Sequence, residues 1–175
     1  CADGGQTTWG RYGFEQHPVT CVNYNQAAQY CSWSGGRLCT EREWEKAARG
    51  GCKLYSNCAT QSYKFPWGNS AAACNRVVMA EGGPGCGTSW TSAVGSRDLG
   101  KSPYGLLDMA GNVWEWVSDY YRPDYNAPVI SDGGTRHVVR RGGGYKNCSE
   151  FRNSGRDAKP KTEANADQGF RCCAN

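Results

Sequence analysis

Two short segments of the chain space their apolar residues as an amphipathic helix does. The first begins near Asn23 and ends at the glycine pair 35–36. The second begins at Thr40, where Glu43 three residues later completes a capping box, and it stops at the glycine pair 50–51. We therefore predict two helices. Their buried faces consist of Tyr24, Ala27, Ala28 and Cys31 in the first, and of Trp44, Ala47 and Ala48 in the second.

The rest of the chain lacks a helical period. Residues 1–22 have the pattern of extended structure, and Pro18 prevents a helix there. Residues 51–135 are rich in Gly, Pro, Asn, Ser and aromatic residues, which predicts long structured loops. The segments that favour strands are residues 113–117, 138–145 and 169–173. We predict a single α+β domain over residues 1–175, with two helices on a small antiparallel sheet.

The composition explains how a chain with so many loops forms a core. Leu, Ile, Val and Phe together number 20, a fraction low enough to suggest disorder. However, the chain has 21 aromatic residues, which bury large areas each, and 11 cysteines. The net charge of +4 is too small to indicate nucleic-acid binding, and no apolar run is long enough for a membrane span. A folded chain stabilised by disulfides is therefore expected.

The cysteines indicate an oxidising compartment. There is no C-x-x-C pair, and histidine occurs only as His17 and His137, so a zinc site is not expected. Disulfides place the protein outside the cell, on a cell surface or in the periplasm. Because 11 is odd, one cysteine is free, bonded to another chain or modified. Cys1 is the first candidate, since bacterial lipoproteins begin with a lipidated cysteine; the alternative is that the sequence simply starts there.

Five segments, taken in order, carry a resemblance to a known family. They are HPVTCVNYNQAAQYCSWSGGRLCTEREWEKAARGG (17–51), FPWGN (65–69), SPYGLLDMAGNVWEWVSDYY (102–121), VVRRGGGY (138–145) and GFRC (169–172). Together they resemble the formylglycine-generating enzyme (sulfatase-modifying factor) family, whose fold is a variant of the C-type lectin fold. The same motifs occur in bacterial surface proteins and lipoproteins that are not known to modify sulfatases, so the resemblance implies the fold but does not decide the function.

The resemblance also implies a disulfide. In this fold the first helix is commonly bonded to the last strand, which here implies a bridge between Cys31 and Cys172. Cys172 and its neighbour Cys173 point to opposite faces of a strand and therefore need different partners. Two further bridges are expected to close loops, Cys74 with Cys86 and Cys52 with Cys58. The sequence leaves open the pairing of Cys1, Cys21, Cys39, Cys148 and Cys173.

The copper ligands of the family are missing. In the oxygen-dependent enzymes, two cysteines stand two and seven residues after the aromatic residue that here is Tyr145. The matching positions are Asn147 and Arg152, and neither side chain is a soft thiolate ligand for copper(I). Cys148 is one residue out of register. Iron-dependent relatives use several histidines, and this chain has two. We therefore expect no catalytic set, no copper and no iron.

The resemblance implies one calcium site. The matching ligands are the side chains of Asp108 and Glu115 and the backbone carbonyls of Gly111 and Val113. Two carboxylates and carbonyl oxygens on a glycine-containing loop are suitable ligands for a hard cation. The alternative is that Asp108 and Glu115 cap the loop or pair with an arginine.

Positive charge is concentrated near the C-terminus. Residues 136–175 contain nine Lys/Arg and four Asp/Glu, whereas residues 1–135 contain 11 and 12. In the family this region borders the substrate groove, which implies a surface for a protein, a glycan or another acidic ligand; the alternative is an ordinary solvated loop. The candidate surface consists of Arg140, Arg141, Tyr145, Lys146, Asn147, Arg152 and Arg156.

Three functions remain after these steps. The leading one is an extracellular binding or structural module on the scaffold of a formylglycine-generating enzyme. The second is an enzyme with a rearranged site, such as an atypical oxidase or another protein-modifying relative. The third is a subunit or tip of a larger extracellular fibre or pilus, with which an odd number of cysteines is compatible.

Overall fold

Both predicted helices are present in the computed structural model, which describes residues 1–2, 4–54, 63–129, 131–132 and 134–175. Helix α1 spans Tyr24–Trp33 and helix α2 spans Glu41–Arg49. Each begins with a complete capping box, in which the cap side chain and the residue three positions later bond to each other's backbone amide. The cap residues are Asn23 for α1 and Thr40 for α2.

Most of the sheet is antiparallel, as the sequence predicts, but one pair of strands is parallel. The strands are β1 (Arg37–Leu38), β2 (Trp114–Tyr120), β3 (Ser131–Asp132), β4 (Thr135–Arg141), β5 (Arg156–Pro160), β6 (Gln168–Phe170) and β7 (Cys172–Cys173). The five-stranded sheet has the order β3-β4-β2-β6, with β5 pairing β4. Strands β2 and β6 are the parallel pair. A separate two-stranded sheet joins β1 to β7.

The core is built from aromatic and sulfur-containing side chains. Helix α2 packs Trp44 on Met109 and on the strand residues Val117 and Val139. Helix α1 packs against Trp116 of β2 in a second cluster. A third cluster lies beneath the loops and contains Phe65 and Phe151. Aromatic rings and methionines therefore fill the volume that the few aliphatic residues cannot fill.

The N-terminal segment differs from the prediction. Where the structure describes them, residues 1–22 form turns and bends and no strand. Side chains hold this segment together, because Thr8 and Thr20 each accept a hydrogen bond from the other's backbone amide. The segment is therefore a folded loop, and the expectation of extended structure was wrong.

Disulfides connect helix α1 and the segment before α2 to the C-terminal strand. Cys31 is bonded to Cys172, as the resemblance implies, and Cys39 is bonded to Cys173. The adjacent cysteines thus have different partners. The loop between Cys74 and Cys86 is closed by the expected bridge.

Among the described residues, the unpaired cysteine is not the one first considered. Cys1 is bonded to Cys21, whereas Cys148 has a free and exposed thiol. Cys52 is disulfide-bonded, but Cys58, its expected partner, lies outside the described residues.

No helix in the described part of the chain is long and apolar enough to cross a membrane.

Candidate functional site

The loop after β4 is where the sequence locates the lost copper ligands. Asn147 folds this loop into a tight turn, because its Oδ1 atom accepts a hydrogen bond of 2.8 Å from the Gly144 amide. The Asn147 carbonyl accepts a second bond, also of 2.8 Å, from the Ala80 amide. Arg152 is exposed on the same loop. These two positions provide a turn and a surface charge, and no thiolate.

Cys148 is next to Asn147 and has the free thiol of this loop. Its sulfur lies 3.8 Å from the carbonyl oxygen of Ala80, a weak contact on the exposed side of the turn. Within the described residues, no cluster of three or more His, Cys, Asp or Glu side chains has the geometry of a metal site. One exposed thiol without a second soft ligand does not form the two-cysteine copper centre of the family.

The predicted basic surface does not exist as a continuous surface. Arg141 is fully buried, and its guanidinium donates hydrogen bonds of 2.8 Å to Glu41 and 2.9 Å to Glu45. Arg140 is also buried, and it pairs with Asp157 at 2.7 Å. Buried guanidinium groups require such partners, so these side chains are used inside the fold. The prediction that they form part of a ligand surface was wrong.

Two further members of that predicted surface are also occupied internally. Tyr145 is buried, and Arg156 forms two hydrogen bonds to the Glu41 carboxylate. Only part of the predicted set remains at the surface, namely Lys146, Asn147 and Arg152. Basic residues near the C-terminus thus pair with acids on α2 and β5, and they do not form a continuous charged surface.

The predicted calcium ligands converge, but an arginine is among them. Both carboxylate oxygens of Glu115 lie 2.6 Å from the guanidinium of Arg171. The indole Nε1 of Trp44 donates a third bond to Glu115, also at 2.6 Å. Arg171 also reaches the backbone carbonyls of Leu107 and Asp108. A positive charge therefore faces the Glu115 carboxylate in this structure.

The Asp108 carboxylate lies in the same cavity and is less well compensated. Its Oδ2 atom accepts a hydrogen bond of 2.7 Å from the Gly95 amide. Burial raises the pKa of the Asp108 carboxyl, and the negative charge of Glu115 raises it further, although the Gly95 amide opposes the shift. Two acids and one arginine thus share a cavity of about 270 Å³.

The glycine of the predicted calcium loop is required by its surroundings. Gly111 has φ of 72°, and a Cβ atom there would lie 2.3 Å from the side chain of Val77. Carboxylate and carbonyl oxygens suit a hard cation, and the positive φ of Gly111 lets the loop turn back between Asp108 and Glu115. A calcium ion at Glu115 would, however, have to share or displace the guanidinium of Arg171. The predicted set fits calcium only in competition with this arginine.

A cleft lined by aromatic residues was not found from the sequence. It has a volume of about 1000 Å³ and lies between the N-terminal segment, α1 and β6. Trp9 and Trp33 are 75% and 79% exposed, and Tyr30 packs edge-on against Phe170. Exposed aromatic clusters of this kind are typical of interaction sites. Trp33 falls outside the predicted apolar face of α1, which was the one signal in the sequence. That residues 9 and 170 line the same cleft depends on the tertiary fold.

The similarity to known proteins agrees with the fold. The sulfatase-modifying factor enzyme 1-like domain matches residues 4–175, and the chain therefore belongs to the sulfatase-modifying factor family. Its architecture is the C-type-lectin-like fold of the formylglycine-generating enzymes. The family was correctly identified from the five sequence segments.

Relatives in this family include active and inactive proteins. The chain is 32% identical over 182 residues to the formylglycine-generating enzyme of Thermomonospora curvata, covering 91% of this chain and 56% of that protein. It is 36% identical over 139 residues to the inactive C-alpha-formylglycine-generating enzyme 2 of Bos taurus, covering 71% of this chain and 43% of that protein. The chain thus spans about half the length of the curated relatives it matches.

A solved structure has a similar fold. PvdO from Pseudomonas aeruginosa superposes with a TM-score of 0.70 at 25% sequence identity. The match covers 90% of this chain and 61% of PvdO.

Proposed function

We propose that this chain is an extracellular binding or structural module that does not oxidise cysteine. The observation that carries the proposal is the loop after β4, where Asn147 folds a turn and Arg152 is exposed. A copper(I) centre needs two thiolates there, and neither side chain supplies one. The similarity to an inactive formylglycine-generating enzyme supports the proposal, because this family includes members without the activity.

The disulfides support the extracellular assignment. Cys31 and Cys39 connect two different elements to the adjacent residues Cys172 and Cys173. Such bridges persist in oxidising compartments and are rare in the cytosol. The same bridges fix α1 and the C-terminal strand, two of the elements that border the aromatic cleft. A rigid cleft with exposed tryptophans favours a binding role.

A calcium ion is the cofactor that accompanies this proposal. Asp108 and Glu115 supply two carboxylates to one small cavity, and Gly111 shapes the loop between them. Arg171 pairs with Glu115, whereas the Asp108 carboxylate forms no ion pair among the described residues, so a bound cation would compensate it directly. When bound, calcium supplies charge compensation and rigidity there, and no redox chemistry.

The proposal is tested by an oxidation assay in which an active formylglycine-generating enzyme is the positive control. The protein is incubated with copper(I), oxygen and a cysteine-containing peptide, and the peptide mass is followed. We expect no conversion of cysteine to formylglycine and no oxygen uptake above that of the Cys148→Ser variant. Catalytic conversion by the unmodified chain that Cys148→Ser abolishes would replace this proposal with the atypical oxidase.

A further inference from the structure

A further concave site runs along one face of α2, from Arg42 in its first turn to Arg49 at its end. It is a pocket of about 550 Å³ between this face, the segment after the helix and two tyrosines. Its lining differs from that of the aromatic cleft because it contains four cationic side chains. These are Arg42, Lys46, Arg49 and Lys53.

The single acid of this pocket is already occupied. The Oε2 atom of Glu45 accepts hydrogen bonds from Arg141 at 2.9 Å and from the hydroxyl of Tyr125 at 2.6 Å. Its Oε1 atom faces Arg49 at 3.7 Å. Since Glu45 is neutralised from within the fold, it offers little compensation to the remaining cations of the pocket.

Three of the four cations have no acidic partner among the described residues. Arg42 lies over the ring of Tyr125 at 5.2 Å, and neither Lys46 nor Lys53 forms an ion pair in the described part of the chain. Lys46 and Arg49 are in the last turn of α2, where positive charge suits the helix dipole. That interaction does not account for Arg42 or Lys53. The pocket therefore has an excess of positive charge directed at solvent.

Tyr125 gives the pocket a fixed aromatic wall. The guanidinium groups of Arg42 and Arg156 lie over its ring, at 5.2 and 5.1 Å from the centroid. Burial and the hydrogen bond to Glu45 raise the pKa of Tyr125 to about 12, so the phenol keeps its proton and its bond to Glu45. The ring offers an apolar face next to the cations.

Tyr104 forms the other aromatic wall. A Cβ atom at Gly51 would lie 3.0 Å from the Tyr104 hydroxyl, so the glycine lets this side chain approach the end of α2 closely. Tyr104 is 44% exposed, which leaves its ring and hydroxyl accessible to a ligand. The pocket thus combines cations for charged groups with aromatic faces for a ring.

We propose that this pocket binds an anionic saccharide, with its sulfate or carboxylate groups on Lys46, Lys53 and Arg42 and a sugar ring against Tyr104. The inference rests on the proposed binding function and names the ligand chemistry of one site. Basic clusters with accessible donors attract acidic polysaccharides such as heparin. Aromatic faces provide the apolar contact that a small inorganic anion cannot use.

The test is calorimetric titration of the protein with a heparin-derived tetrasaccharide. The comparison ligands are the same tetrasaccharide without sulfate, a neutral tetrasaccharide, inorganic sulfate and adenosine monophosphate. We expect saturable binding of the sulfated ligand that weakens as salt is raised. Binding of the desulfated form with equal affinity would assign the contacts to carboxylates, and weaker binding would assign them to sulfates; both results support an anionic saccharide.

Variants locate the binding in the pocket. The Lys46→Gln, Lys53→Gln double variant is expected to weaken binding about tenfold, and Tyr104→Ala several-fold. The matched control is Arg136→Gln, Lys161→Gln, which removes the same charge beside Tyr120, outside this pocket. An equal loss in the control, no binding of any saccharide, or tighter binding of the neutral sugar or the nucleotide would overturn the inference. None of these results bears on the absence of oxidase activity, which the peptide assay measures separately.

Discussion

Arg141 donates a hydrogen bond of 2.8 Å to Glu41, 100 residues away in the sequence, and neither side chain is appreciably accessible to solvent. Glu41 is the first residue of α2, and Arg141 is the last residue of β4. Arg156 binds the same carboxylate from β5. One acid therefore connects a helix to two strands through charged hydrogen bonds, which are roughly twice as strong as neutral ones.

Replacing Glu41 by Gln is expected to destabilise the fold strongly. The variant removes the fully buried counter-charge of Arg141 and leaves only the partly exposed Glu45 carboxylate, and breaking a buried pair in this way costs about 3 kcal/mol or more. The free energy of unfolding is measured by urea denaturation. The control is Arg37→Gln, which breaks the half-exposed Arg37–Glu43 pair and is expected to cost less than about 1 kcal/mol. Equal losses in the two variants would contradict the importance of the buried pair.

The capping boxes show what sequence spacing predicts well. Thr40 and Glu43 are three residues apart, so their reciprocal hydrogen bonds depend only on local geometry, and the structure contains both. The proximity of Cys39 to Trp44 in the core has the same local origin.

The ion pairs of Arg140 and Arg141 could not be predicted from the sequence. Arg140 and Arg141 were assigned to a surface because basic residues are abundant near the C-terminus. Their partners Asp157 and Glu41 are brought to them by the pairing of β4 with β5 and by the packing of α2 on the sheet. Those contacts are long-range, so charge counting along the chain does not reveal them. The same limit applies to the aromatic cleft, which forms where the N-terminal segment meets β6.

The capping box of α2 is expected to weaken at acidic pH. The hydrogen bond from Arg37, together with a smaller contribution from the Thr40 amide, lowers the pKa of Glu43 from 4.5 to about 2. Because the folded-state pKa is depressed, this contribution is present above about pH 4.5 and is lost as pH falls towards about 2. Glu43 is 43% exposed, so solvent screening keeps the effect within about 1 kcal/mol.

The pH effect is measured as the difference in melting temperature between the unmodified protein and Glu43→Gln. This difference is expected to shrink as the pH is lowered through that window. A difference that stays constant down to the lower limit would show that the carboxylate charge contributes nothing.

The two bridges to the C-terminal strand are expected to be partly redundant. Cys31–Cys172 and Cys39–Cys173 span 141 and 134 residues and connect nearly the same parts of the chain. With one bridge in place, the other closes only a loop of about ten residues, worth about 3 kcal/mol in the chain-entropy model. With no bridge in place, restoring either one closes a loop of roughly 140 residues and stabilises the fold by about 5 kcal/mol.

This redundancy is measured by denaturant unfolding of three variants. They are Cys31→Ala with Cys172→Ala, Cys39→Ala with Cys173→Ala, and the combination of all four changes. The combined loss is expected to exceed the sum of the two separate losses. Strict additivity would show that the bridges act through local packing and not through the unfolded chain.

Calcium is expected to stabilise the folded protein. Binding to the folded state alone raises the melting temperature with calcium concentration. Asp108→Asn keeps the size of the side chain and removes the charge, so it is expected to lose this dependence while the protein remains folded. A matched control is Asp98→Asn, which removes a surface carboxylate paired with Lys101. If chelation leaves the melting temperature and the tryptophan fluorescence unchanged, Arg171 is the sole cation that compensates Glu115.

The most direct test of the central claim is a competitive titration with copper(I) in the presence of a chelator. The account predicts that the protein takes no stoichiometric copper(I) from the chelator and that Cys148→Ser behaves identically. The comparison variant is Asn147→Cys with Arg152→Cys, which restores thiolates at both family positions and is expected to bind more copper(I) than the unmodified chain. Tight, one-to-one copper(I) binding by the unmodified chain, lost in Cys148→Ser, would contradict the account and indicate a rearranged oxidase centre.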